Sequence, residues 1–295
     1  MSVPAAYLAV ILIWATTPLA IQWSAQGAGF AFAVFARMVI GTVLAALLLG
    51  IWRISLPLHA RACKSYLVGG LGSFGAMILT YWGARHIHSG LISVLFGLSP
   101  LITSVLAAAW LREKALTPRR IAGMVFGVAG LAIIFAHGED AGDAQAGTGL
   151  GALVLAAFFY SATLVWLKHI DDDSHALATT AGTLAVSLPL FGLVWWLAEG
   201  GLPAGLPPRA GAAIVYLGVF GSVLGFALYC HVIRHLEAGR VALITLVTPV
   251  LALLLGQLLN GERIGTRVWL GAAIIAAGLA LHQWPALVAA TRRRG

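Results

Sequence analysis

The chain has 295 residues, 60% hydrophobic and only 9% charged, where a soluble domain carries about 25% charged residues. So few charges cannot cover a water-soluble body of this size, which excludes soluble enzymes, nucleic-acid readers and disordered linkers and leaves lipid as the solvent. The net charge of +8 then reflects basic loops held on the cytoplasmic side of a membrane rather than a nucleic-acid partner.

A bilayer-spanning helix needs about 20 apolar residues. In chain order, weakly charged runs predict ten spans, at residues 5–24, 30–52, 64–84, 89–111, 119–136, 148–167, 175–198, 209–232, 239–259 and 266–284. The first follows a start without Lys or Arg and carries no convincing cleavage site, so it reads as a retained span rather than a signal peptide. The breaks carry turn residues: Gln26-Gly27, Leu56-Pro57, Thr117-Pro118, the stretch His137 to Gly149, Asp171 to Ser174, and Gly200 to Pro208. Thirteen of the 18 Lys and Arg residues fall on one set of loops and four on the other, with Arg37 inside a span. That bias predicts that both termini are cytoplasmic. Cys63 and Cys230 form neither a disulfide framework nor a metal-ligand spacing.

The chain repeats itself. Leu71-Gly72-Ser73-Phe74-Gly75 in the third span returns as Leu217-Gly218-Val219-Phe220-Gly221 in the eighth. Ser99-Pro100 in the fourth returns as Thr248-Pro249 in the ninth, each followed by a glutamate 13 residues after the proline, Glu113 and Glu262. Gly123 and Gly130 are echoed by Gly271 and Gly278. These matches define a first repeat over 1–137, a connector over 138–147, a second repeat over 148–288 and a basic cytoplasmic tail over 289–295. Five spans is an odd number, so the second repeat enters the membrane upside down. The expected fold is an all-α membrane protein of ten helices in two inverted five-helix repeats, an arrangement common among transporters.

Trp14, the paired Ser/Thr-Pro kinks with their following glutamates and the two Leu-Gly-x-Phe-Gly segments resemble the drug/metabolite transporter superfamily, and within it the EamA-type exporters. The resemblance covers essentially the whole chain and is specific for family but weak for substrate. It implies a permease of the inner (plasma) membrane for small metabolites, often amino acids or their analogues, usually working in the export direction.

The residues themselves point the same way. Pro100 and Pro249 each remove a helix hydrogen bond and crowd the carbonyl four residues back, that of Phe96 or Thr245. Such kinks line a wet pathway or act as bending points, or they only shape packing. Trp14, Tyr81, Phe96, Tyr160 and Tyr229 stand at span centres, with Thr17 and Thr163 one turn beyond Trp14 and Tyr160. With Thr245 and Thr248 they form the expected substrate-binding set, an aromatic pocket with a few hydroxyls suited to a zwitterion with an apolar side chain. Arg37 either receives a substrate carboxylate or serves structure. Glu113 and Glu262 fall at opposite faces, so they are expected to hold short loops rather than share a proton. All ten acidic residues lie in loops or at span ends, which argues against a buried carboxylate relay. His231 and His235 share a helix face, but no third ligand is evident beyond Glu237, and neither metal nor cofactor is expected. The small glycines of the fifth and eighth spans predict tight helix contact, in a monomer or homodimer. The expected partners are the bilayer and a small-molecule metabolite. The alternatives from other classes are an intramembrane lipid-modifying enzyme and a non-transporting scaffold; no enzymatic activity is expected.

Overall fold

In hydrocarbon every backbone N–H and C=O must be satisfied within its own segment, so apolar runs of this length become helices. The computed structural model describes residues 2–112, 117–136, 143–203, 205–236 and 238–292. The chain folds as α1 (Val3–Ala28), α2 (Phe30–Ile51), α3 (Ala60–Gly83), α4 (Ser89–Phe96), α5 (Ser99–Trp110), α6 (Pro118–Ala136), α7 (Ala146–Ile170), α8 (Ala176–Ala198), α9 (Pro208–Tyr216), a π-helical segment (Leu217–Leu224), α10 (Gly225–His235), α11 (Ala238–Asn260) and α12 (Thr266–Arg292). Among the described residues nine segments are long and apolar enough to cross a bilayer. The 27-residue α12, packed along α6, completes the ten.

Two spans are not the uninterrupted helices their apolar runs predict. The fourth breaks between α4 and α5 at Gly97-Leu98. Pro100 offers no N–H to the Phe96 carbonyl, and it sits comfortably only near the start of a new helix, where Ser99-Pro100 now stands. The ninth span carries the same motif, yet α11 runs continuously through Pro249. Leu246 stands there in place of Gly97. The eighth span widens into the π segment at Leu217–Leu224, although its counterpart in α3 stays α-helical.

The packing maps onto itself when each span is exchanged with the one five places away. The third span packs on the sixth and the eighth on the first; the third packs on the seventh and the eighth on the second; the fourth packs on the sixth and the ninth on the first. The second and seventh, fourth and ninth, and fifth and tenth pack directly on one another. That is a two-fold relation between inverted halves. It is sharpest where α6 meets α12. A Cβ placed on Gly123 would lie 2.6 Å from the Gly278 carbonyl oxygen, and one on Gly130 would lie 2.5 Å from that of Gly271. The sequence mates are Gly123 with Gly271 and Gly130 with Gly278, so each glycine touches the mate of the other, as an antiparallel two-fold crossing requires. Only hydrogen atoms fit between these backbones.

An even number of spans puts both termini on one side, here called the near face; the other is the far face. The apolar core is one continuous cluster through the far half, joining Ala20 and Ile21 of α1 to Leu91 and Leu95 of α4, Leu150 and Leu153 of α7, Ile214 of α9 and Leu253 of α11. Toward the near face two small clusters separate from it. One small cluster holds Ala6, Val10, Val232 and Ile244 of the first, eighth and ninth spans. Another holds Leu106, Ala107 and Val165 of the fourth and sixth spans. These two clusters stand apart from the main one, which itself continues toward the near face along the second and seventh spans through Ala45, Ala181 and Leu184, where Gly182 of α8 packs on Tyr66 of α3.

Candidate functional site

At the span centres, four aromatic side chains from four spans stand in sequence. Trp14 of α1 packs on Tyr229 of α10 with ring centroids 4.7 Å apart. Phe96, the last residue of α4, meets Tyr160 of α7 edge-on at 5.9 Å. The Tyr160 and Tyr229 phenols are close enough to interact electrostatically, which joins the two pairs across the bundle. Tyr160 is densely surrounded by protein, yet 42% of its surface is open to a water-sized sphere. A side chain in that position lines an internal cleft. Pro18, one turn after Trp14 and inside α1, also leaves the Trp14 carbonyl without its helical partner.

The hydroxyls are arranged more modestly. Thr17 donates to the Ile13 carbonyl at 2.6 Å and Thr163 to that of Phe159 at 2.7 Å. Each returns its proton to its own helix, and the Thr163 side chain packs against Gly72 of α3. Thr245 donates to Ala242 O at 2.8 Å and accepts from the Gln283 amide at 3.2 Å. With Pro249 and Gly97 it borders an apolar void of about 10 Å³ between the fourth, ninth and tenth spans, room for no more than one water. Thr248 is buried, and Tyr81 is fully buried away from the aromatic series. The structure thus brings Trp14, Phe96, Tyr160 and Tyr229 together, sets Thr17 and Thr163 on the same helices nearby, and places Tyr81 and Thr248 in packed interior.

The far end is closed by polar contacts that cross between repeats. Glu262, in the turn between α11 and α12, accepts the N–H of Ser89, the first residue of α4, on both oxygens at 3.0 and 3.1 Å. Asn260 donates to Glu262 and to the Gln22 side-chain oxygen, both at 2.9 Å, and Gln22 donates to the Ile87 carbonyl at 2.8 Å. Trp23 donates to Asn260 at 2.8 Å, and the Arg209 guanidinium covers the Trp23 ring at 3.7 Å. Glu199 likewise accepts the N–H groups of Ala31 and Phe32 at the start of α2, at 3.0 and 2.9 Å. A carboxylate is well suited to a helix N-terminus, where unpaired N–H groups and the dipole both favour negative charge. Glu262 therefore does more than steady its own loop: it holds a helix of the other repeat. Its sequence mate Glu113 lies outside the described residues, as does Glu237. Sequence reasoning missed Gln22, Asn260 and Glu199; the available signal was uncharged amides and an acid at the ends of apolar runs.

Elsewhere His231 and His235 face each other at 4.3 Å, and no group of three metal-ligating side chains occurs among the described residues. In the connector Asp143 pairs with His86 at 3.0 Å. Burial raises the Asp143 carboxyl, but the His86 hydrogen bond, the Gln145 N–H and the charges of His86 and Arg85 outweigh it and hold Asp143 below the usual carboxylate range.

Ten helices in two inverted halves are an architecture common among membrane transporters. The sequence profile of the EamA-like transporter family matches residues 3–136 and again 147–282; the chain belongs to that family, within the drug/metabolite transporter superfamily. It is 29% identical over 279 residues to a probable terminal-alkyne amino-acid exporter of Streptantibioticus cattleyicolor, covering 94% of this chain and 91% of that one. It is 29% identical over 283 residues to the uncharacterized transporter YoaV of Bacillus subtilis, covering 93% and 94%. A crystal structure 20% identical in sequence superposes over 100% of this chain and 99% of its own with a TM-score of 0.66, a shared fold.

Proposed function

We propose that the protein exports a small organic metabolite, best an amino acid with an apolar side chain, by alternating access across the plasma (inner) membrane, with the near face cytoplasmic. The observation that carries this is the aromatic series of Trp14, Tyr229, Tyr160 and Phe96 at the span centres, with two small apolar clusters of the first, eighth and ninth and of the fourth and sixth spans set apart from the main core on its near side. Aromatic faces receive an apolar side chain, and the kink carbonyls accept from an ammonium group. The amino-acid exporter of S. cattleyicolor supports the substrate class, and the basic near-side loops support the orientation.

The inverted repeat supplies the mechanism. On this reading the conformation described is the near-open one, and exchanging the geometries of the two halves closes that side and opens the far one around the same aromatic floor. Solute enters from the near side, the two near clusters close over it, and the Glu262–Ser89 and Glu199–α2 contacts release to let it leave. Purified protein in liposomes preloaded with unlabelled amino acid should accumulate the labelled form by counterflow, saturably and without ATP. No saturable counterflow for any apolar amino acid or amphipathic drug would overturn the reading.

A further inference from the structure

Arg37 of α2 is 3% exposed, about 10 Å along the helix from the far face at 1.5 Å per residue. Its neighbours are all neutral. Nε donates to Ser222 Oγ at 3.1 Å, one Nη to the Tyr81 hydroxyl at 3.4 Å and the other to the Gly221 carbonyl at 3.4 Å. The ion pairs His59–Asp172 and His86–Asp143 do not involve it, so no acid among the described residues neutralises it. A guanidinium carries five N–H donors; three are used, two of them in long contacts, and one N–H on each Nη is left over. A buried cation without a counter-ion is costly in hydrocarbon, and two N–H groups on adjacent nitrogens are the fork that a carboxylate accepts.

A second feature falls on the same spot. Gly221 and Ser222 belong to the π segment, and π turns inside helices are frequent at functional sites. Here the wide turn brings the eighth span against α2: a Cβ on Gly218 would lie 2.6 Å from that of Ile40, and one on Gly41 would lie 3.2 Å from that of Ser222. Arg37 thereby touches Tyr81 of the third span and Gly221 of the eighth, two spans that exchange under the two-fold relation although these residues are not themselves mates. One side chain reaching both spans of an exchanging pair stands near the axis, where an alternating-access carrier holds its solute. Repeating the 146-residue offset of the Leu-Gly-x-Phe-Gly segments places Thr183 of α8 opposite Arg37. The otherwise symmetric site is thus charged on one side only.

We propose that Arg37 receives the carboxylate of the transported solute, which restricts the substrates to organic carboxylates and orients them with that end toward α2. The proposal rests on the carrier reading above and adds the charge of the cargo to it. The apolar end loads against the aromatic floor from the near side. As the far half opens, the solute carboxylate displaces the two long contacts to Tyr81 and Gly221 and takes the guanidinium fork.

Counterflow in liposomes tests it with L-leucine, L-valine and L-phenylalanine, each competed by itself and by its carboxamide. In the wild type the acid should compete at least tenfold better than the amide. In R37Q the half-saturation for the acid should rise tenfold or more while that for the amide stays put, levelling the two, and R37K should fall between. A wild type that treats acid and amide alike overturns the proposal without any variant. An R37Q protein that keeps the wild-type preference for the acid, with only turnover reduced, assigns Arg37 to packing and overturns it as well. A wild type with no saturable exchange of any of the three fails differently, by removing the carrier reading itself.

Discussion

Replacing Glu262 by glutamine tests whether the far-side contacts hold the conformation. Glutamine keeps the shape and one acceptor oxygen, but it loses the negative charge at the N-terminus of α4 and turns the second oxygen into a donor facing the Ser89 N–H. The charge–dipole interaction contributes about 0.3–1 kcal/mol and a capping hydrogen bond about 1 kcal/mol. The far-closed state should therefore lose about 1–2 kcal/mol, a factor of roughly 5–30 in its equilibrium with the far-open state. Ser24 is the reporter: it is fully buried in the far half of α1, so a thiol there meets water only when the far side opens. In a background lacking Cys63 and Cys230, S24C should react with a membrane-impermeant maleimide applied from the far face 5–30 times faster once E262Q is added. Unchanged or slower labelling in folded E262Q protein would refute the idea that this carboxylate latches the far side.

Three further outcomes follow from the same geometry. G123A or G278A should lower thermal stability by about 1–3 kcal/mol, because each Cβ would lie 2.6 Å from a facing carbonyl oxygen; G151A, with open space around it, should instead stabilise by roughly 0.5–1 kcal/mol, both read by unfolding in detergent. The T163C thiol should label from the near face and not from the far face, since its helix borders the near-side cleft; protection from both sides would favour a packed scaffold. The connector should loosen in acid: a depressed carboxyl gives stability that is complete above its unfolded pKa of about 3.9 and is lost as pH falls through the lower folded value. The Asp143–His86 contact should therefore fade below about pH 4, and with Asp143 52% exposed it contributes under about 1 kcal/mol. Hydrogen exchange at Asp143 and Ala146 reads it, and D143N should remove the dependence.

The ten spans and the inverted repeat were legible because they rest on signals local to the chain: apolar length, and short motifs recurring in order. What was not legible depends on which side chains meet. Leu-Gly-Ser-Phe-Gly and Leu-Gly-Val-Phe-Gly look equivalent as text, yet one is α-helical and the other π-helical. The difference lies on the neighbouring span, where Arg37 faces the second and a threonine stands at the equivalent place beside the first. Ser99-Pro100 and Thr248-Pro249 are equally alike, yet the first stands at a break between two helices and the second inside a continuous one. Tyr81 carries the aromatic signature of the candidate pocket, but its hydroxyl is turned to Arg37, a contact 44 residues away in sequence that no periodicity announces. The Gln22–Asn260 and Glu199–Ala31 contacts span still longer separations and became visible only once the helices were assembled.

The helix starts at the two faces are treated unequally. On the far side α2 and α4 are capped by Glu199 and Glu262 of the opposite repeat, whereas on the near side α3 and α8 are capped by their own His59 and His175. Perfectly identical halves would populate the two opposite orientations of the machine equally when empty. Under the proposed export reading the imbalance tilts an idle molecule toward waiting with its mouth to the side where both chain ends lie, so that the cell's own pool of solute, rather than the medium, would start each turnover.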